Sequence, residues 1–203
     1  MSIQGSPEWF AERCGFATAS RFKDVLAKIK TGEAATRRNY RAQLVCERLT
    51  GKAAESFTNA AMEWGTAHEP EARMQYEAMR GSIVQEVGFI KHPAIPFCGA
   101  SPDGLVDDAG MVEIKCPNTA THIDTLLSGM SPDHMPQVQG QMWVCGRQWV
   151  DFISYDPRLP EKLQLHIQRV ERDEKYIKAM EAEIIAFLFS VEQTIEQLEK
   201  KAA

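Results

Sequence analysis

The chain predicts an α/β fold in which a central mixed β-sheet is flanked by helices. Three observations carry this. Amphipathic helical stretches fill the first 80 residues, and short strand-period segments bounded by turn residues follow through Cys116. A helical region, two more alternating segments and one long amphipathic helix close the chain.

The elements follow in order. Ser6-Pro-Glu-Trp-Phe-Ala-Glu-Arg opens with a capping Ser-Pro and reads as a short helix. Gly15-Phe-Ala-Thr-Ala-Ser20 breaks it, and Ser20 is placed to cap a second helix with Phe22, Val25 and Leu26 on its inner face. A third runs from Thr36 to Thr50, with Tyr40, Leu44, Val45 and Leu49 inward and Arg37, Arg38 and Arg41 outward. The next, Thr58 to Arg80, is expected to break near Gly65. Ile83 to Ile90, Cys98 to Ser101 and Val112 to Cys116 read as an antiparallel meander. Helices at Thr119–Leu127 and Pro132–Cys145, strands at Gln148–Tyr155 and Leu163–Val170, and a helix from Glu174 onward complete the reading. The expected organisation is one domain over 1–203: a helical part over 1–80, a sheet core over 81–170 and a terminal helix over 174–200.

Composition narrows the function classes. Hydrophobic residues make up 44% and charged residues 25%, ordinary values for a globular chain. No apolar run reaches membrane-span length and the first residues do not resemble a signal peptide, so a cytoplasmic location is expected. The five cysteines are scattered with no Cys-x-x-Cys pair, which argues for reduced thiols and against a zinc knuckle or iron–sulfur cluster. Net charge is −5, but residues 1–50 carry nine Lys/Arg against five Asp/Glu, while residues 51–160 carry seven against fourteen. A nucleic-acid enzyme with this balance needs a local basic channel, and divalent cations would offset part of the acidic middle.

The stretch from Ser101 to Pro117 carries the chemistry. Val112-Glu-Ile-Lys alternates apolar and charged residues, so Glu113 and Lys115 share one strand face. Asp103-Gly, Asp107, Asp108 and Gly110 supply turn residues that bring Asp103 beside that strand. Two hard carboxylates and an ammonium on one surface suit magnesium and a water that attacks a phosphate. The competing reading is a solvated hairpin with Lys115 in a plain salt bridge to Glu113 or Glu69, but a Glu and a Lys in an apolar strand are costly unless paired or bound. Arg13, with the hydroxyls of Thr18 and Ser20, forms a candidate anion pocket. His68 beside Glu69 lacks a second histidine four positions on, so it reads as a packing residue, and Trp64, Trp143 and Trp149 read as core.

Asp103…Glu113-Ile-Lys115 resembles the PD-(D/E)xK nuclease motif, with Pro102 before the aspartate. A wider set strengthens the likeness: Gly15-Phe-Ala-Thr-Ala-Ser20, Trp64-Gly-Thr-Ala-His-Glu69, Ser101-Pro-Asp-Gly-Leu105, Gln137-Val-Gln-Gly-Gln-Met-Trp143, Tyr155-Asp-Pro-Arg158 and Val170-Glu-Arg-Asp-Glu-Lys-Tyr176. In this order they resemble the phage lambda exonuclease and YqaJ-type viral recombinase family, from about Trp9 to the last helix. The resemblance implies a restriction-endonuclease-like core and a Mg2+-dependent 5′-to-3′ exonuclease on double-stranded DNA, with two metal ions per site and Mn2+ able to substitute. It also implies release of mononucleotides, a homotrimeric ring, a single-strand annealing partner, and a phage or prophage origin in a bacterial host.

Carried over residue by residue, the resemblance gives Asp103, Glu113, the Ile114 carbonyl and Glu69 to metal, and Lys115 to the attacking water. It gives Gln137 to orientation of the site and Arg13, Thr18 and Ser20 to the 5′-phosphate. Met62 takes the position of an apolar wedge that splits the terminal base pair, although the residue type differs from that of the lambda enzyme. An extra family acid before the catalytic aspartate is missing, since Pro93 falls there. Two alternatives stand beside this reading: an endonuclease or helicase-linked nuclease module on the same fold, and a non-catalytic DNA-binding protein.

Overall fold

The computed structural model describes residues 2–54 and 59–202. Its described strands are β1 (Ala17–Thr18), β2 (Val84–Gln85), β3 (Ile90–Lys91), β4 (Cys98–Ala100), β5 (Gly104–Val106), β6 (Gly110–Lys115), β7 (Trp149–Tyr155) and β8 (Leu165–Glu171). They divide between two sheets, not the one sheet expected. The larger has the order β2-β5-β6-β7-β8 and the smaller β1-β4-β3. The larger is mixed: β6 and β7 run parallel, with Glu113 opposite Phe152, and the other pairs are antiparallel. The β5–β6 hairpin turns through Asp107 at φ 48°, a left-handed position that aspartate tolerates better than most side chains.

Helices α1 (Pro7–Arg13), α2 (Phe22–Leu26), α3 (Ala35–Thr50), α4 (Ala60–Arg80), α5 (Thr119–Ser128), α6 (Met135–Cys145) and α7 (Glu174–Ala202) surround the sheets. Alternation along β6 assigns its two faces. Val112 and Ile114 pack with Ala72 and Tyr76 of α4, while Met111 packs with Val138 and Met142 of α6. The far side of α6, through Trp143 and Val144, meets Phe22, Leu44, Ile184 and Phe187 of α2, α3 and α7. Helix α6 is therefore interior, which is why Pro136 and Val138 through Val144 are all buried. Gly140 permits this depth, because a Cβ there would lie 2.5 Å from the Phe22 ring.

Five local expectations are corrected. Ile83–Ile90 is not one strand: Val84–Gln85 joins the larger sheet and Ile90–Lys91 the smaller, with the Gln4 side chain bonding the Val87 carbonyl between them at 3.1 Å. Helix α4 runs unbroken through Gly65, whose Cα faces open space; the Asn59 cap on the Met62 amide and Gly81 in the left-handed region offset the weak propensity. Its expected start at Thr58 lies outside the described residues. Ser20 does not cap α2 but sits inside a 3-10 turn over Ala19–Arg21. Leu49, expected inside, is 46% exposed near the end of α3. Arg37, expected on a solvated face, instead packs back on the Val25 carbonyl.

Helix α4 is fixed to the sheet by a buried ionic cluster. Asp151 of β7 is fully buried, accepts two hydrogen bonds from Arg169 at 2.8 Å each and takes a third from the Tyr76 hydroxyl at 2.9 Å. Removing one member of such a pair leaves an uncompensated partner. Asp151→Ala is expected to cost roughly 3–4 kcal/mol in chemical denaturation, the lower part of the usual range because Arg169 keeps access to water.

Candidate active site

The β5–β6 hairpin places Asp103 against β6, where its Oδ2 accepts the Ile114 amide at 2.6 Å. Glu113, the residue before Ile114 on β6, is almost wholly buried and fully committed. Its Oε1 accepts Lys115 Nζ at 2.5 Å and Gln137 Nε2 at 2.6 Å, and its Oε2 accepts Gln141 Nε2 at 2.6 Å. Gln137 and Gln141 stand one turn apart on α6 and so point the same way. Gln141 was not singled out from the sequence, although the four-residue spacing within Gln137-Val-Gln-Gly-Gln141 carried the signal. The pairing of Lys115 with Glu113 is the salt bridge named above as its competing role.

Glu69 approaches from α4, with Arg73 Nη2 at 3.7 Å from it and Arg73 also paired to Glu86. Burial, then the charges of Glu113 and Glu69, push the Asp103 carboxyl well above its usual range, against the pull of Lys115 and the Ile114 amide. Burial also raises Glu69; Arg73 opposes this and Glu113 adds to it. Burial works against the Lys115 ammonium, but Glu113 and Asp103 outweigh it and hold its pKa above the ordinary value. The Glu113 charge thus raises the proton affinity of both Asp103 and Glu69, a repulsion that a hard cation would relieve.

The donor set fits such a cation in chemistry: carboxylate oxygens and the main chain of β6, with no thiol or imidazole required. Among the described residues no three His, Cys, Asp or Glu side chains form a ready nest, and Glu113 shows why, since both its oxygens are turned to α6 and Lys115. Asp103, Glu69 and the Ile114 carbonyl would be the donors to an ion, with both Glu113 oxygens already engaged.

Arg13, at the end of α1, stacks over Trp9 at 3.9 Å and donates to Ser101 Oγ at 3.1 Å, which also accepts the Trp9 indole N–H at 3.0 Å. Burial lowers the Arg13 pKa to about 10, with Tyr40 and Glu47 opposing, so the guanidinium stays charged at neutral pH. Thr18 and Ser20 hydroxyls lie 3.3 Å apart. Ser101, two residues before Asp103, is a further site residue that sequence reasoning passed over. One cleft of about 1380 Å³ is lined by Arg13, Thr18, Ser20, Met62, Glu69 and Asp103. Glu113, Ile114, Lys115 and Gln137 do not line it themselves. Met62 is 52% exposed on the first turn of α4.

His68 stacks on Trp64 at 3.7 Å and bonds its carbonyl, while Arg158 covers Trp64 at 4.3 Å, so this histidine packs within α4. Trp143 is buried as expected. Trp149 is only half-buried, beneath the Arg169 guanidinium at 3.5 Å.

Comparison with known proteins places this geometry. A family model described as YqaJ-like viral recombinase domain matches residues 8–148. The structures of LHK-Exo in complex with dAMP and of the alkaline exonuclease LHK-Exo from Laribacter hongkongensis each show a TM-score of 0.91 and 52% identity, covering 97% of this chain and 98% of theirs. A phage related exonuclease from Haemophilus somnus 129PT shares the fold at a TM-score of 0.73 and 15% identity, over 90% of this chain and 96% of its own. No curated protein sequence matches the chain. The mixed sheet between helices is the restriction-endonuclease-like α/β core of these exonucleases, and with the family match running from α1 past the Asp103–Lys115 hairpin to the end of α6, the chain belongs to the YqaJ-like viral recombinase family.

Proposed function

We propose that the chain is a Mg2+-dependent exonuclease that degrades the 5′-ended strand of double-stranded DNA, releases 5′-mononucleotides and leaves a 3′ single-stranded tail for recombination by strand annealing. The observation that carries this reading is a single cleft holding Arg13, Thr18 and Ser20 at one part of its wall and Asp103 and Glu69 at another. An enzyme that grips a terminal phosphate while cutting the linkage next to it needs these two sites together. The likeness to LHK-Exo in complex with dAMP, a nucleoside 5′-monophosphate, supports the same substrate class.

Each residue has a role in this reading. Arg13 forms charge-assisted bonds to the terminal phosphate, whose second charge distinguishes it from an internal linkage. Thr18 and Ser20 hydroxyls complete that contact. Met62, exposed at the cleft, stands as the apolar wedge against the terminal base pair. Asp103, Glu69, the Ile114 carbonyl and Glu113 hold the ions. Bound Mg2+, two per site with Mn2+ able to substitute, supplies an acidified water and neutralises charge on the attacked phosphate. Lys115 orients the attacking water through its ammonium, and Gln137 holds the Glu113 carboxylate in place. A homotrimeric ring, an annealing protein as partner, and action within a bacterial host on behalf of a phage or prophage complete the proposal on family grounds. No helix among the described residues is long and apolar enough to cross a membrane.

With Mg2+, linear duplex labelled at the 5′ end should release labelled mononucleotide at once while 3′ label persists, and chelation should stop both; early loss of 3′ label, or robust nicking of a closed circle, would overturn the polarity or the exonuclease reading. Lys115→Ala should lower cleavage by about 10²–10⁴-fold with duplex binding retained in a gel-shift assay. Mg2+ or Mn2+ should raise the melting temperature of the wild type by relieving carboxylate repulsion, by about 2.7 kcal/mol of stability at a hundredfold excess over Kd. Asp103→Asn should abolish most of that rise.

A further inference from the structure

The cleft wall contains a buried carboxylate that neither the metal ligands nor the phosphate contacts use. Glu47, on the inward face of α3, is 6% exposed and lines the cleft. Its Oε2 accepts the Gly15 amide at 2.7 Å; its Oε1 accepts Gln43 Nε2 at 2.8 Å and the Ala54 amide at 3.2 Å. Tyr40, two turns earlier on the same face, accepts the Thr18 amide at 3.0 Å and reaches the Phe16 carbonyl at 3.4 Å through its hydroxyl. Arg48 Nε donates to the Gly15 carbonyl at 2.9 Å. Four backbone atoms of the Gly15–Thr18 segment are therefore held by side chains of one helix.

The segment itself is shaped for this hold. Gly15 has φ +77°, where a Cβ would also lie 2.8 Å from Arg48 Cγ, so the turn needs glycine. The Phe16 amide closes back on the Arg13 carbonyl at 3.0 Å. Arg13 thus leads directly into the held segment, and Thr18 and Ser20 sit at its end. Burying an acid beside an anion pocket opposes an incoming phosphate, and a glutamine would avoid that charge. A glutamine has only one acceptor oxygen, however, whereas the carboxylate answers three donors on two oxygens. The charge is offset by the geometry it enforces, and the Ala54 bond extends that hold to the chain ahead of α4, which bears Met62.

We propose that Tyr40 and Glu47 are positioning residues of the terminal-phosphate pocket. They act through the Gly15–Thr18 backbone to fix Arg13, Thr18 and Ser20 for a 5′-phosphomonoester, and this rests on the pocket reading proposed above. Two variants of the full chain test it. Tyr40→Phe keeps the ring stacked on Phe187 at 5.5 Å and removes only the hydroxyl. Glu47→Gln keeps one acceptor and removes the other. Steady-state cleavage is measured on otherwise identical 5′-phosphoryl and 5′-hydroxyl duplexes across a range of Mg2+ concentrations.

Each variant should lower kcat/KM on the 5′-phosphoryl duplex by about tenfold, with the 5′-hydroxyl duplex within about twofold of wild type and the Mg2+ dependence unchanged. A wild-type ratio between the two substrates in both variants, or equal losses on both substrates, would overturn the inference. If Glu47→Gln fails to fold, Tyr40→Phe alone decides by the same ratio. A wild-type enzyme indifferent to the terminal phosphate would instead refute the pocket itself, so the two failures are distinguishable.

Discussion

A single buried carboxylate organises the sheet and central helix of this molecule. Glu113 sits in the middle of a strand covered on both faces, where an unpaired charge would be too costly to keep. The fold answers with two amides from α6 and the ammonium two residues along the strand. This fixes the rotation of α6 about its axis, since Gln137 and Gln141 must both face β6. It also sets the depth of α6, which Gly140 allows by admitting the Phe22 ring. The strand, the central helix and the α2–α3–α7 layer behind it are linked through this one set of contacts.

The same arrangement leaves the site charged but not self-sufficient. Asp103, Glu69 and Glu113 act on one another electrostatically, and Lys115 and Arg73 only partly balance them. Such a site stores unfavourable repulsion that a bound divalent cation would relieve. The side proposed for the terminal phosphate is built on the opposite principle. There an arginine, hydroxyls and a stapled backbone turn present donors, and the buried acid beside them, Glu47, is spent on holding the backbone. Acceptors for cations and donors for an anion thus face one cleft from different elements, α4 and β5–β6 against α1 and the turn before α2.

Much of this was legible along the chain because the signals were local. Period-two alternation in Val112-Glu-Ile-Lys assigned Glu113 and Lys115 to one face, and the Asp-Gly turn chemistry implied the hairpin that brings Asp103 alongside. The long apolar stripe of α7 was equally plain, with Ile177, Met180, Ile184, Phe187 and Leu188 all buried. Short elements were harder. β1, β2 and β3 have two residues each and exist only because a partner strand is present, so the sequence gives no sign of β1 and runs β2 and the start of β3 together as one strand. The uninterrupted course of α4 through Gly65 likewise depends on packing of Ala72 and Tyr76 against the sheet, which outweighs a weak propensity.

By itself, then, the sequence determined the alternation of helices and strands, the hairpin, and the identities of the acids, lysine and arginine that bear charge, because each depends on residue type and spacing within a few positions. Tertiary structure alone decided that Gln141 joins Gln137 on Glu113, that Ser101 joins Arg13, that Ser20 lies in a turn and caps nothing, and that α3 reaches across to hold the Gly15–Thr18 backbone. Those contacts link residues tens of positions apart. Their partners are chosen by the packing of whole elements, and no local pattern encodes which buried polar atom will find which donor.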